Sequence, residues 1–145
     1  MQSMEVDRSG LEVLGRDECL RLLASATLGR IGFTSGALPA VLPVNFHLDG
    51  ERILVRTGRG SQLDAALQNA VVAFEVDEFD PIHHSGWSVA VTGVATEVGD
   101  PTELDAARQE PVTRWTPPGS ESVVAISTEF VSGRRVTSGT PAVPR

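Results

Sequence analysis

An Asp-Gly pair at positions 49 and 50 is the feature of this sequence that most constrains its fold. The pair separates two β-prone runs, residues 39–48 and 52–57. Asp-Gly between such runs is typical of a β-hairpin, because both residues tolerate the positive φ that the tight turn requires. The two runs are therefore predicted to be antiparallel neighbours. The first run contains Pro43, which lacks a backbone N–H and is expected at a sheet edge or at a bulge.

Strand-like segments recur along the rest of the chain, at residues 30–34, 71–76, 87–98 and 123–136. Gly93 predicts a bulge, and Gly133 predicts a bend in the last segment. Short helices are predicted after the capping residues Asp17, Ser61 and Asp100. About six strands without βαβ alternation predict a mainly β, α+β fold, namely a small six-stranded antiparallel barrel with two or three short helices.

The length of 145 residues fits a single domain, which we place at residues 14–136. Residues 1–13 are mixed and polar and are predicted to be a flexible N-terminal arm. Residues 137–145 are predicted to be a disordered C-terminal tail. Two loops carry residues of interest: residues 77–86 are acidic and contain the pair His83-His84, and residues 111–122 contain Trp115.

The formal net charge of -7 argues against partners that need a basic surface, such as nucleic acid or an anionic membrane. A single cysteine, Cys19, cannot form an internal disulfide, and its helical spacing with Leu22 and Leu23 predicts a buried apolar role. No apolar run is long enough to cross a bilayer, so we expect a soluble cytoplasmic protein. The histidine pair lacks further ligands at metal-binding spacing, and no metal is expected.

The stretch at residues 53–67 joins a predicted strand to a predicted helix through a glycine-rich turn. Gly58 and Gly60 let the backbone turn so that several N–H groups point the same way, and Arg56 and Arg59 add positive charge. Ser61, three residues before an aspartate, resembles a capping box. The pattern predicts an anion pocket, with a glycine turn flanked by two solvated arginines as the alternative.

In this order, the segments resemble the pyridoxamine 5'-phosphate oxidase-like family of FMN-binding split barrels, particularly its small actinobacterial and nitroimidazole-resistance-type members. The resemblance covers residues 14–136. It is carried by five short segments, which read Leu28-Gly29-Arg30-Ile31-Gly32-Phe33, Leu42-Pro43-Val44-Asn45-Phe46, Arg56-Thr57-Gly58 with Gly60-Ser61-Gln62-Leu63, Val72-Ala73-Phe74-Glu75-Val76, and Gly86-Trp87-Ser88-Val89 leading to Gly93.

The resemblance implies a homodimer with two FMN sites in the interface. It implies that the isoalloxazine ring lies along Pro43, Val44 and Asn45, with the ribityl and phosphate end near Arg56 and Thr57. It also implies that the phosphate is held by the segment Ser61, Gln62 and Leu63. Trp87 and Ser88 are expected from the strand that meets the partner subunit, and Trp115 from a loop over the ring. Core or interface packing accounts equally well for Trp87, and a hydrophobic anchor of the loop is the favoured alternative for Trp115.

The chain departs from the family pattern in two places. Gln62 stands where many relatives carry Lys or Arg, so one charge opposite the phosphate is missing. The C-terminal segment lacks the Arg-Leu-rich ending of true pyridoxamine phosphate oxidases, so oxidation of vitamin B6 is not expected. The resemblance implies an FMN-dependent oxidoreductase that transfers hydride to or from a small organic substrate, with catalytic residues unassigned. A non-catalytic flavin carrier and a deazaflavin-dependent reductase are the alternatives.

Overall fold

The computed structural model describes residues 4–109 and 121–137. Its elements, in chain order, are β1 (Glu12–Leu14), α1 (Arg16–Ala24), β2 (Leu28–Ser35), β3 (Leu38–Asp49), β4 (Arg52–Gly58), α2 (Gln62–Ala66), β5 (Ala70–Asp80), β6 (Ser85–Glu97), α3 (Pro101–Gln109), β7 (Glu121–Ser127) and β8 (Phe130–Val136). Within these residues, every helix is too short or too polar to cross a membrane.

Six of the strands close into an antiparallel barrel, as predicted. The sheet order is β1-β8-β6-β5-β2-β3-β4-β7. An additional pairing of β6 with β7 closes the six strands β6, β5, β2, β3, β4 and β7 into a ring. Closure is possible because β6 changes partners: residues 86–92 pair with β8, and residues 95–97 pair with β7. The strands β8 and β1 therefore extend the sheet outside the barrel.

The predicted hairpin at Asp49-Gly50 is confirmed. Asp49 pairs with Arg52, and Gly50 has a φ of 61°. The edge position predicted for Pro43 is confirmed as well, because β4 pairs only with residues 46–49 of β3. The remaining part of β3, residues 38–45, pairs with β2 alone among the described strands.

The barrel interior holds the main apolar core. Phe46 and Phe74 meet there edge to face, with ring centroids 4.9 Å apart, and Cys19 of α1 is fully buried in the same core, as predicted. A second, smaller core lies between α3 and the outer side of the β4–β7 pair. Its buried members are Leu54, Val98, Ala107, Val123 and Ala125.

The loop predicted at residues 77–86 is wrong, because β5 continues to Asp80 and β6 starts at Ser85, which leaves a turn of four residues. Acidic residues disfavour strands, but here they lie on exposed positions whose backbone groups are paired.

The flexible arm predicted for residues 1–13 is also partly wrong. Glu12 and Val13 belong to β1, which pairs with β8, and Asp7 accepts a hydrogen bond from Arg134.

Two smaller predictions are corrected. Gly93 forms no bulge on the β5 side, where the register runs without interruption through the pair Val72–Gly93. The glycine is needed for a different reason, since a side chain there would overlap the backbone of Ser127. Asp17 does not cap α1; Gly15 occupies the cap position, and Asp17 lies in the first helical turn.

Candidate functional site

The barrel is split between β3 and β4. The two strands pair from Asp49–Arg52 up to Phe46–Val55 and then separate. Beyond that point β4 continues against β7, with Arg56 opposite Val123, while β3 continues against β2. The split therefore exposes one side of the β3 backbone at residues 38–45, directly beside the turn that leads from β4 into α2.

Alternation along β3 decides which backbone groups face the split. The N–H of Phe46 donates to the carbonyl oxygen of Thr27 over 3.0 Å, so the backbone N–H and C=O groups of the even-numbered residues of β3 point toward β2. In an antiparallel ladder the backbone groups of the odd-numbered residues then point the other way. The N–H of Asn45 and the N–H and C=O groups of Val41 consequently face the split, together with the C=O of Pro43, whose missing N–H costs no ladder hydrogen bond.

Val44 differs from its two neighbours in the predicted ring-binding segment. Its backbone belongs to the ladder with β2, opposite Gly29, and its side chain packs against the barrel core. The structure therefore leaves Pro43 and Asn45 as the members of that segment whose backbone groups border the split.

The glycine turn after β4 is already occupied by a carboxylate of the chain itself. Ser61 caps α2 as predicted, accepting a 3.1 Å hydrogen bond from the N–H of Asp64. The Asp64 side chain folds back into the turn, where it accepts 2.9 Å hydrogen bonds from the Thr57 hydroxyl and from the N–H of Gly60. Asp64 is buried. The hydroxyl of Thr57, the residue predicted to lie near the ribityl and phosphate end of the flavin, is thus engaged by Asp64.

Arg56 does not face the glycine turn, contrary to the prediction. Consecutive residues of a strand point to opposite faces, so Arg56 lies on the α3 side while Thr57 points toward the turn. Its guanidinium donates to the carbonyl oxygen of Ala107 over 2.7 Å and lies 4.0 Å from the Glu121 carboxylate. The Arg56 side chain is only 8% exposed. The exposed cation that remains beside the turn is Arg59.

The start of α2 lies across from the end of β2. The amide nitrogen of Gln62 donates to the Ser35 hydroxyl over 2.9 Å, which ties α2 to β2. Ser61 and Gln62 are exposed, whereas Leu63 packs its side chain against the barrel core. Of the predicted phosphate-binding segment, the first two side chains are accessible to a ligand and the third is structural.

Trp87 and Ser88 lie away from the split within one chain. Ser88 pairs with Asp77 of β5, and β5 is separated from β3 by β2. Three strand spacings amount to roughly 14 Å between Ser88 and Asn45. Trp87 borders a different cavity, of about 640 Å³, beside Phe79 and Arg135. Trp115 is outside the described residues. One chain therefore does not bring Trp87 and Ser88 to the ring-binding segment.

A second cavity, of about 310 Å³, adjoins Pro43 on the side of β2 and β5. Arg30 lies at its wall and binds two acids, with one guanidinium nitrogen 3.0 Å from Glu75 and 3.3 Å from Asp77. Burial and the neighbouring Asp77 carboxylate raise the pKa of Glu75, although Arg30 opposes this. Two carboxylates share one cation at this position.

The outer face of the sheet carries a continuous row of small and apolar residues. The row crosses five strands in register and consists of Val41, Gly32, Ala73, Thr92 and Phe130. Val41 and Phe130 are 67% and 70% exposed. Such an exposed row is more apolar than an ordinary solvated surface and is typical of an interaction surface.

A closed six-stranded barrel, split beside a glycine turn and a short helix, defines a class of small split-barrel proteins. Residues 15–135 match the family model described as pyridoxamine 5'-phosphate oxidase. The chain belongs to the pyridoxamine 5'-phosphate oxidase family. An uncharacterized protein of Mycobacterium tuberculosis is 42% identical over 130 residues, which cover 86% of this chain and 85% of that protein.

Two solved structures show the same fold at substantial sequence identity. The FAD binding protein from Mycobacterium smegmatis is 34% identical with a TM-score of 0.75, over 86% of this chain and 97% of that one. A conserved protein of unknown function from Corynebacterium diphtheriae is 32% identical with a TM-score of 0.71, over the same two shares. A protein from Bacteroides thetaiotaomicron, at 15% identity and a TM-score of 0.67 over 93% of each chain, shares the fold.

Proposed function

We propose that this chain binds a flavin, FMN in the first instance, at the split between β3 and β4 and that it acts as a flavin-dependent oxidoreductase. The observation that carries the proposal is the open backbone edge of β3 beside the glycine turn. Membership of the family and the similarity to an FAD binding protein of M. smegmatis support a flavin in particular.

The residues at the split suit the two ends of a flavin unequally. The pyrimidine edge of the ring presents carbonyl acceptors around an N–H donor. The β3 edge offers the complementary set, with an N–H at Asn45, an N–H and a C=O at Val41 and a further C=O at Pro43. At the phosphate end, Ser61, Gln62 and Arg59 are exposed, but Asp64 occupies the turn. The ring therefore fits the split well, and the phosphate fits it less well.

When bound, a flavin would supply two-electron hydride transfer between a reduced donor, such as a nicotinamide, and a small organic acceptor. The chain's part in this reaction is to position the ring. The backbone N–H of Asn45 would hold the pyrimidine edge, and the β2–β3 ladder behind it would limit the ring's movement. Side chains need not exchange protons with the ring in such a mechanism.

We also propose that the active form is a homodimer in which a second copy covers the outer-face row. The row is apolar and exposed, and it lies on the strands that separate the split from Ser88 and Trp87. A second copy seated there with two-fold symmetry would bring its own Trp87 and Ser88 toward the split of the first. The salt-bridged group formed by Arg30, Glu75 and Asp77 would lie within the interface.

The ring-binding role of the β3 edge is tested with two substitutions at Asn45. Asn45→Pro removes the N–H that faces the split and no hydrogen bond of the β2 ladder, whereas Asn45→Ala keeps the N–H and removes only the side chain. We expect riboflavin binding to fall at least tenfold in Asn45→Pro and to change less than threefold in Asn45→Ala, since a buried donor contributes about 1 to 3 kcal/mol. Equal binding by both folded variants would contradict the role.

The oxidoreductase role is tested by anaerobic reduction of the flavin-loaded protein with NADH or NADPH, followed in the visible spectrum. Bleaching of the flavin bands, and their return when an organic acceptor is added, would support the enzyme. A flavin that neither donor reduces would favour a non-catalytic flavin carrier. Mass spectrometry of the ligand released from the purified protein separates FMN and FAD from a deazaflavin.

The dimer is tested by light scattering with Ala73→Glu, which places a charge at the centre of the outer-face row. Ala106→Glu on the exposed side of α3 introduces the same charge elsewhere. Wild type and Ala106→Glu should have the mass of a dimer, and Ala73→Glu that of a monomer with reduced flavin binding. A monomeric wild type would contradict the interfacial site.

A further inference from the structure

The glycine turn after β4 has a feature that the family resemblance did not predict: its polar groups converge on Asp64. The Thr57 hydroxyl and the Gly60 N–H both donate to the Asp64 carboxylate, at 2.9 Å each. Ser61 accepts from the backbone N–H of the same residue at 3.1 Å. The carboxylate thus occupies the position that a bound anion would take in a turn of this kind.

The described residues around the turn supply little positive charge to balance the Asp64 carboxylate. Arg56, the predicted cation, is buried against Ala107 and Glu121 on the other face of β4. The residue at the helix start, Gln62, is neutral and donates to Ser35. The exposed Arg59 is the cation on the turn itself. Among the described residues of the turn, a phosphate dianion placed here would meet the positive side chain of Arg59 and the fixed negative charge of Asp64.

We infer that Asp64 is a specificity-determining residue that keeps the phosphate of a flavin out of the glycine turn, so that this chain selects its flavin by the ring and the ribityl chain. This inference rests on the proposed flavin site, and it means that the affinity of that site for a flavin depends little on the phosphate. Phosphate remains at the outer side of the turn, within reach of Arg59 and the Ser61 hydroxyl, where solvent screens it.

The test compares FMN with riboflavin, which has the same ring and ribityl chain but no phosphate. Wild-type protein should bind the two with dissociation constants within about threefold of each other, because a partly screened pair of opposite charges changes affinity by only a small factor. Isothermal titration of the full-length chain measures both constants. A wild-type preference for FMN of a hundredfold or more would overturn the inference without any variant.

Asp64→Asn removes the charge and can keep the turn intact. The amide oxygen can accept from the Gly60 N–H, and the amide nitrogen can donate to the Thr57 oxygen, because a hydroxyl serves as donor or acceptor. We expect FMN to bind about fivefold more tightly to this variant, with riboflavin unchanged within twofold. Asp105→Asn on the exposed side of α3 makes the same change in net charge and should leave both constants unchanged.

The outcomes separate this inference from the proposed function. Tighter binding of FMN alone to Asp64→Asn supports the inference. Equal shifts for FMN and riboflavin, or weaker FMN binding by a variant that melts at the wild-type temperature, overturn it while leaving the flavin site standing. Failure of wild-type protein to bind either ligand would instead overturn the proposed function.

Discussion

Gly93 of β6 lies directly against the backbone carbonyl of Ser127 in β7, at the point where β6 changes its partner from β8 to β7. The next residue, Val94, donates its N–H to the Ser127 hydroxyl over 2.9 Å. These contacts hold together the two strands that close the barrel. Barrel closure therefore depends on the absence of a side chain at position 93.

Gly93→Ala should destabilise the fold strongly. The added Cβ would overlap a backbone oxygen, which cannot rotate away as a side chain can, so we expect a loss of at least about 2 kcal/mol in the free energy of unfolding. Urea unfolding measures it. Gly99→Ala is the control, because a Cβ at that position has no atom within 4 Å. A loss of stability no larger than that of Gly99→Ala would show that β6 and β7 can separate at little cost.

Arg56→Ala should act through the fold rather than through a ligand phosphate. The substitution leaves the carbonyl oxygen of Ala107 without the guanidinium and leaves the largely buried Glu121 carboxylate without that positive neighbour. We expect a loss of about 1 to 3 kcal/mol in stability. Any loss of flavin affinity should be the same for FMN and for riboflavin. A selective loss of FMN in a stably folded variant would show that the guanidinium reaches the phosphate.

Glu18 gives a pH dependence whose sign is fixed by its partners. Hydrogen bonds from Arg21 and Arg135 lower the pKa of Glu18 from its ordinary value of 4.5 to about 2. A carboxylate with a depressed pKa stabilises the fold above the pKa of the unfolded chain, and that contribution is lost as the pH falls from 4.5 toward 2.

Unfolding of wild type and Glu18→Gln is therefore to be compared across this range. Wild type should be the more stable at pH 6, and the difference should shrink steadily below pH 4.5. Glu97→Gln, at an exposed position at the end of β6, should show no such convergence. A constant difference between wild type and Glu18→Gln would mean that packing, rather than ionisation, makes the contribution.

The sequence predicted the fold correctly where residues close together in sequence determine the structure. The hairpin at Asp49-Gly50 and the cap at Ser61 each depend on residues adjacent in sequence, and both are confirmed. The extension of β5 through Asp77 to Asp80 was not predictable in the same way, because its strand conformation comes from pairing with residues 85–88. Strand β1 likewise exists because β8 offers it an edge.

The site was predictable as a region but less so in its contacts. The serine-to-aspartate spacing correctly placed Ser61 at a helix start, and it was also the signal that Asp64 could turn back toward the chain, as acidic residues of capping boxes do. Which way Arg56 points depends on strand alternation combined with the position of α3, and the sequence alone does not place α3 against β4. The separation of Trp87 and Ser88 from the split depends on the strand order, in which β5 and β2 lie between β6 and β3, and the sequence alone does not give that order.

Gln62→Lys should tighten FMN binding by about 1 kcal/mol, because a charged donor forms the stronger hydrogen bond to phosphate, while exposure and the nearby Asp64 limit the gain. Riboflavin should bind as before, and the gain should shrink as salt is raised. Titration calorimetry with both ligands measures these effects, and Gln62→Met shows the cost of losing the bond to Ser35 alone. Equal tightening toward both ligands would place position 62 away from the phosphate.

The central claim is that a flavin ring binds at the split between β3 and β4. Titration of the purified, flavin-stripped protein into riboflavin, followed by flavin fluorescence, tests it most directly, since riboflavin presents the ring without the phosphate. We predict saturable quenching with one flavin per subunit, with an affinity at least tenfold weaker in Asn45→Pro and within threefold of wild type in Asn45→Ala. Absence of saturable binding of riboflavin, FMN and FAD by the folded protein, or equal binding by the two Asn45 variants, would contradict the claim.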